Sequence, residues 1–408
     1  MDISADFGSE LRRLRQEAGI SLPEFAQDMN YSKGYLSKLE RGLARPSRAL
    51  ARRCDAELRT GGRLEELVEP QGGAGGRARG VDRRTALLTG AGSLVAAGLG
   101  APTRAIHLVS ATDPVELFRE QLRQMRRLGQ CATSAVLLPL LTAQTNTLTA
   151  LASGSDAATR GQLLVLAARF AEYAGWMAQE AGDTSAALSW TADAVELARA
   201  GGDRDLSSYA LVRRALVTMY DGDAAGTVAL ARQAQRAGVP QRIRGLAAQR
   251  EAQGHALAGD ERACLRGIDR ARELLTSAEP PNGNEPVIGS ANLCDSAAMV
   301  TGWCLYDLGR CRNAAEVLDE QCPNIPTSAV RARTRYGLRR ALAHAAGGNV
   351  EESCAIATDL LPLAVTVSSA TVRTDVVRLT RELSRFRSHR VVRDLQPALI
   401  RASTSAQH

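Results

Sequence analysis

Apolar residues recur along most of this chain at intervals of three and four, the period of helices with one buried face, and no alternating run is long enough to predict a strand. Leu11, Leu14 and Ala18 mark a first helix, and Gly19 stops it as a residue able to take positive φ. Ser21 begins a second helix. Glu24, three residues on, completes a capping box, and Pro23 is tolerated in the first turn. Phe25, Ala26 and Met29 are the inward positions of that helix. After a turn at Asn30-Tyr31, Ser32 caps a third helix running to about Arg41, with Leu36 and Leu39 inward and Gly42 as the stop. Arg45-Pro46 bends the chain, and Ser47 caps a fourth helix whose buried face is Leu50, Cys54 and Leu58.

The pattern then breaks. Residues 71–80, half of them glycine, read as a flexible linker. Residues 82–104 carry Asp82-Arg83-Arg84 followed by an uncharged apolar stretch over 85–103, a cast similar to a twin-arginine export signal. Its internal position argues against export. It reads as an interdomain helix packed on the helices downstream of it, with membrane association as the competing reading. From 113 the chain is helix after helix, so the expected fold is all-α. The expected domains are 1–70, a linker and insert at 71–112, and a helical array at 113–408.

The array is periodic. Gly182, Gly222, Gly259, Gly309 and Gly348 stand 40, 37, 50 and 39 residues apart. Seven residues before them come Gly175, Ala215, Ala252, Gly302 and Ala341; five residues after come Ala187, Thr227, Cys264, Ala314 and Ser353. Small residues at fixed offsets on both sides of a glycine turn let the helices of a hairpin approach closely. The long interval holds residues 277–290, rich in proline, asparagine and glycine, a loop that is either a lid or slack.

Composition agrees with close-packed helices: 45% hydrophobic but only 4% aromatic over 408 residues. The eight cysteines form no C-x-x-C pair, which argues against a cysteine-rich zinc site and a disulfide framework, and a reduced cytoplasm suits them. Net charge is +7, and all but Lys33 and Lys38 of the 51 basic residues are arginines. From Tyr31 to Arg63 nine basic residues face three acidic ones, although residues 1–70 as a whole are neutral.

On the third helix, Leu36 and Leu39 leave Lys33, Gly34, Ser37 and Lys38 on the outward face. Lysine can donate to guanine, and serine to any base edge. Here the chain resembles the Xre/Cro-repressor helix-turn-helix family over Leu11 to about Leu58. The likeness rests on Leu-Arg-x-Leu-Arg-x-x-Ala-Gly, on Ser32 through Gly42, and on Arg45-Pro46-Ser47. It implies double-stranded DNA as partner, base contacts from the outward face of the third helix, and phosphate contacts from Arg41 and Arg45, with Ser32 donating at the helix start. Leu22 stands where that family often has a glutamine that grips the backbone. A single module is small, so a homodimer reading two half-sites is expected.

The array over about 160–365 resembles degenerate tetratricopeptide repeats, which implies a superhelix whose concave face takes a peptide, small molecule or protein. His255 and His344 occupy the same offset in the third and fifth repeats and are candidate ligand contacts, each also readable as a packed histidine. No residues gather as nucleophile, base and orienting group. No phosphate loop, dinucleotide fingerprint or His-Glu-x-x-His pair occurs, so neither catalysis, a cofactor nor a metal is expected. The sequence thus reads as a cytoplasmic transcription regulator with a ligand-sensing array. The alternative is a non-catalytic interaction scaffold, membrane-associated through residues 85–103.

Overall fold

The computed structural model describes residues 3–29, 33–42, 46, 48–68, 113–278, 287–289 and 292–404. Among these the regular elements are helices, and the fold is all-α. The chain divides into two compact units, Met1–Val109 and Ser110–His408. The glycine-rich linker at 71–80 and the apolar insert at 82–104 lie outside the described residues.

The first unit contains α1 (Ile3–Glu17), α2 (Leu22–Asp28), α3 (Lys33–Glu40), α4 (Arg48–Leu58) and α5 (Arg63–Glu66). Phe7, Leu11, Phe25, Met29, Leu36, Leu39 and Cys54 are fully buried and form its core. The capping box closes as its spacing requires: Ser21 N donates to Glu24 Oε2 at 3.4 Å, and Glu24 N donates to Ser21 Oγ at 3.3 Å. Gly19 takes φ +69° and Gly42 +70° at the ends of α1 and α3. One expectation fails here. Because α1 ends at Glu17, Ala18 sits in the turn and is exposed, and Phe7, one turn before Leu11, fills the core instead. Leu58 is only half-buried.

The second unit runs α6 (Pro114–Leu128), α7 (Ser134–Ser153), α8 (Ala157–Ala181), α9 (Thr184–Ala200), α10 (Asp205–Tyr220), α11 (Ala224–Gln233) and α12 (Gln241–Leu257). It continues through α13 (Glu261–Thr276), α14 (Ser296–Asp307), α15 (Cys311–Gln321), α16 (Val330–Ala346), α17 (Val350–Val367), α18 (Ala370–Leu383) and α19 (Arg390–Thr404). The five periodic glycines are the turns of five hairpins, α8–α9, α10–α11, α12–α13, α14–α15 and α16–α17, with φ from +76° to +91°. In the first three the following aspartate caps the second helix: Asp183, Asp223 and Asp260 accept from the backbone N–H three residues on. Arg310 and Asn349 provide no such side-chain cap.

The small residues flanking these turns are all buried. A methyl group added to Gly175 would lie 3.2 Å from the Ala187 carbonyl, so the two small positions of that hairpin meet. One helix among the described residues, α7, is long and apolar enough to cross a membrane. Its Leu137, Leu141, Thr145, Leu148 and Ala152 form a buried stripe, and it packs on α8.

The array also returns on itself, with α18 packing against α8. Glu180 of α8, 1% exposed, accepts from Arg331 Nη1 at 3.0 Å, Ser369 Oγ at 2.6 Å and Thr371 Oγ1 at 2.9 Å. Arg331 also donates through Nε to the Gly129 carbonyl at 2.8 Å and through Nη2 to that of Ala132 at 2.6 Å. Residues early and late in the array thus share one buried polar cluster.

Candidate nucleic-acid interface and the cavity of the helical array

The candidate reading helix, α3, is held from behind. Arg15 of α1 and Glu40 at the end of α3 form a buried bidentate pair, Nε to Oε1 at 2.6 Å and Nη2 to Oε2 at 3.1 Å. The remaining Nη1 donates to the Ile20 carbonyl at 2.7 Å, which ties the turn after α1 into the same joint. Above this pair α1 and α3 nearly touch: a methyl group on Gly8 would collide with the Leu39 carbonyl. Asp55 of α4 accepts from the N–H groups of Leu64 and Glu65 at 2.9 and 2.8 Å and anchors α5.

Lys33, Gly34, Ser37 and Lys38 all lie in α3, whose Leu36 and Leu39 are buried. Ser37 is half-buried. Arg41 is exposed just beyond the helix, its Nε donating to the Ser37 carbonyl at 3.1 Å. Ser32 and Arg45 lie outside the described residues.

The array encloses a cavity of about 440 Å³. Seven arginines border it against one carboxylate, Glu172, with Tyr173, Trp176, Tyr209 and Tyr336 supplying aromatic wall. Neither candidate histidine borders it. His344 is buried, with Nε2 3.0 Å from Asp319 Oδ1 and Nδ1 3.4 Å from Asn349 Nδ2. His255 lies at the edge of a polar network around Glu251, which accepts from Arg232, Gln235 and Arg270.

The cavity arginines differ in how they are used. Arg126 donates to the carbonyls of Val287 and Gly289, both at 2.6 Å, and Arg242, which does not border the cavity, donates to that of Ile288 at 2.8 Å. These bonds hold the described part of the 277–290 loop, and Val287 and Gly289 form part of the cavity wall. Arg213, 6% exposed, donates through Nη2 to Gln179 Oε1 at 3.1 Å, and its Nε lies 3.5 Å from Glu172 Oε1. Arg335 bonds the Tyr220 hydroxyl and stacks over Tyr220 and Trp303, and its Nε has no hydrogen-bond partner. Arg250 donates to Gln253 Oε1. Burial pulls the Arg250 pKa down to about 10, and the nearby Arg335 charge adds to the fall. The Oε1 of Gln130, on the same wall, is buried without a partner.

Sequence reading named neither the Arg15–Glu40 joint behind α3 nor any of the cavity arginines. One signal was available: Glu180 is the lone charge in the stretch 173–182. A carboxylate in so apolar a helix calls for a buried cation.

A family profile described as a helix-turn-helix domain matches residues 6–67. No curated protein and no solved structure matches the chain. The matched segment is the α1–α5 unit with its ion-paired third helix, so the N-terminus carries a helix-turn-helix domain, which supports a DNA-binding regulator.

Proposed function

We propose that the protein is a sequence-specific transcription regulator of Xre/Cro type, with residues 1–70 reading DNA, 71–112 as joint, and the tetratricopeptide-like array at 113–408 sensing a ligand and mediating a homodimer. What carries the reading is the helix-turn-helix match over residues 6–67, in which Arg15 and Glu40 fix the third helix. Lys33, Gly34, Ser37 and Lys38, with Ser32 at the helix start, reach base edges in the major groove, and Arg41 and Arg45 grip phosphates. Leu22 cannot supply the backbone contact of a glutamine, so the two arginines bear more of the phosphate grip.

Pairing two modules through the array supplies the affinity that one lacks. A ligand that prefers one arrangement of the array shifts how the two reading heads are spaced. The protein is non-catalytic and works beside the chromosome, in the cytoplasm. Selection of bound fragments from genomic DNA, followed by gel shifts at several salt concentrations, tests this. The parent selects a two-fold-symmetric site and binds it with steep salt dependence, while Lys33→Ala/Lys38→Ala loses selectivity. Equal binding to every fragment, or to none, overturns it. Sedimentation as a monomer overturns the homodimer.

A further inference from the structure

We propose that the cavity of the array is a binding site for a small organic oxyanion, a carboxylate or phosphate group carried on a planar ring. The proposal deepens the sensing half of the function above by naming what is sensed.

Three observations carry it. First, the array elsewhere gives its deeply buried guanidinia a carboxylate: Arg331 has Glu180, and Arg339 has Asp375, both at 3.0 Å. Among the described residues, Arg250 and Arg335 have no carboxylate at ion-pair distance, although both border the cavity. Both are half-buried there; Arg335 feels the Glu180 and Asp375 charges at longer range, whereas burial disfavours the Arg250 charge, and an anion entering from solvent would answer it. Second, the Nε of Arg335 on the same wall is buried without a hydrogen-bond partner, and the seven arginines that border the cavity face the single carboxylate of Glu172, to which Arg213 is already paired at 3.5 Å. Guanidinium donors of this kind form the planar fork that matches a carboxylate or phosphate. Third, the rest of the lining suits a flat ring. Tyr173 and Trp176 stand 5.3 Å apart between centroids, with Tyr209 and Tyr336 also on the lining. A volume of about 440 Å³ holds a single small molecule and excludes a folded partner or a duplex.

Full-length protein, free of DNA, is titrated with adenosine monophosphate, phenyl phosphate and indole-3-acetate. Each is paired with an uncharged counterpart: adenosine, phenol and indole-3-ethanol. Binding is followed by tryptophan fluorescence, to which Trp176 on the cavity wall contributes, and by melting temperature. At least one anion gives a saturable response and binds about tenfold or more tightly than its uncharged counterpart. The phosphate and carboxylate arms identify which oxyanion the site takes. Arg250→Gln weakens that anion about tenfold or more, yet melts no lower than the parent when free of ligand, because the charge it removes has no carboxylate at ion-pair distance among the described residues. Arg335→Gln weakens binding likewise; where loss of its Tyr220 bond unfolds the chain, Arg250→Gln alone decides.

Equal binding of anion and uncharged counterpart, no saturation by any probe at about 10 mM, unchanged anion affinity in Arg250→Gln, or a sharp fall in its ligand-free melting temperature would each overturn the proposal. Anion binding without selective DNA binding sinks the regulator and spares the cavity. Selective DNA binding without anion binding does the reverse.

Discussion

The N-terminal unit and the helical array both bury arginine, but on different terms. In the first unit Arg15 is answered in full, by Glu40 and by the Ile20 carbonyl, and its work is to hold α3 in place. The array gives Arg331 and Arg339 a carboxylate each, whereas Arg250 and Arg335, half-buried beside the cavity, have none at ion-pair distance among the described residues. Burial alone therefore does not say what a guanidinium is for. A satisfied one fixes structure. An unsatisfied one, in a space open enough for a small molecule, is a standing demand for a counter-ion.

The sharpest way to break this contrast is at Glu180. Glu180→Ala leaves Arg331 buried and uncompensated and frees Ser369 and Thr371. The array loses about 4 kcal/mol, measured by chemical denaturation. Arg15→Ala does the same to Glu40 at a lower cost, about 3 kcal/mol, and site-selective DNA binding falls with it. The double change Arg15→Leu/Glu40→Leu returns much of the stability, because neither charge is then left alone. Gly302→Ala tests the hairpin packing that both kinds of arginine depend on. Its methyl group meets Leu318 Cγ at 2.6 Å, and overpacking costs about 2 kcal/mol in the melting curve.

The smallest effect is a pH dependence. Burial pushes the Glu180 carboxyl up, but the Arg331 and Arg335 charges and the Ser369 and Thr371 hydroxyls outweigh it and hold the pKa below the ordinary 4.5. Its contribution is complete above that ordinary value and is lost as pH falls below it toward the depressed native value. Stability measured from pH 6 down to 3 therefore falls with acid, and Glu180→Gln flattens that part of the curve.

Local devices were legible in the sequence. The Ser21–Glu24 box, the stops at Gly19 and Gly42 and the inward Leu36 and Leu39 each depend on neighbours a few residues away. The five glycine turns and their small flanking residues were legible because they repeat. Ala18 was misplaced, since periodicity extends a helix past the point where its backbone ends, and the one-turn difference moved the apolar slot to Phe7. The Glu180 cluster could not be seen, because its partners lie 151 to 191 positions downstream and meet only when the array closes. The cavity arginines were hidden by abundance. Among so many arginines none stands out until the acids near each one are known.

The closure has a further consequence for how the array comes apart. An open stack of hairpins can fray from its last repeat inwards while the rest stays intact. Here release of the segment from Ser369 onward strips Glu180 of two hydroxyl donors deep in α8. The C-terminal end thus acts as a fastener for the first hairpin, and deleting it transmits damage to helices nearly two hundred residues upstream. Truncation before Ser369 is therefore expected to lower the melting temperature of the array as a whole and not of its last helices alone.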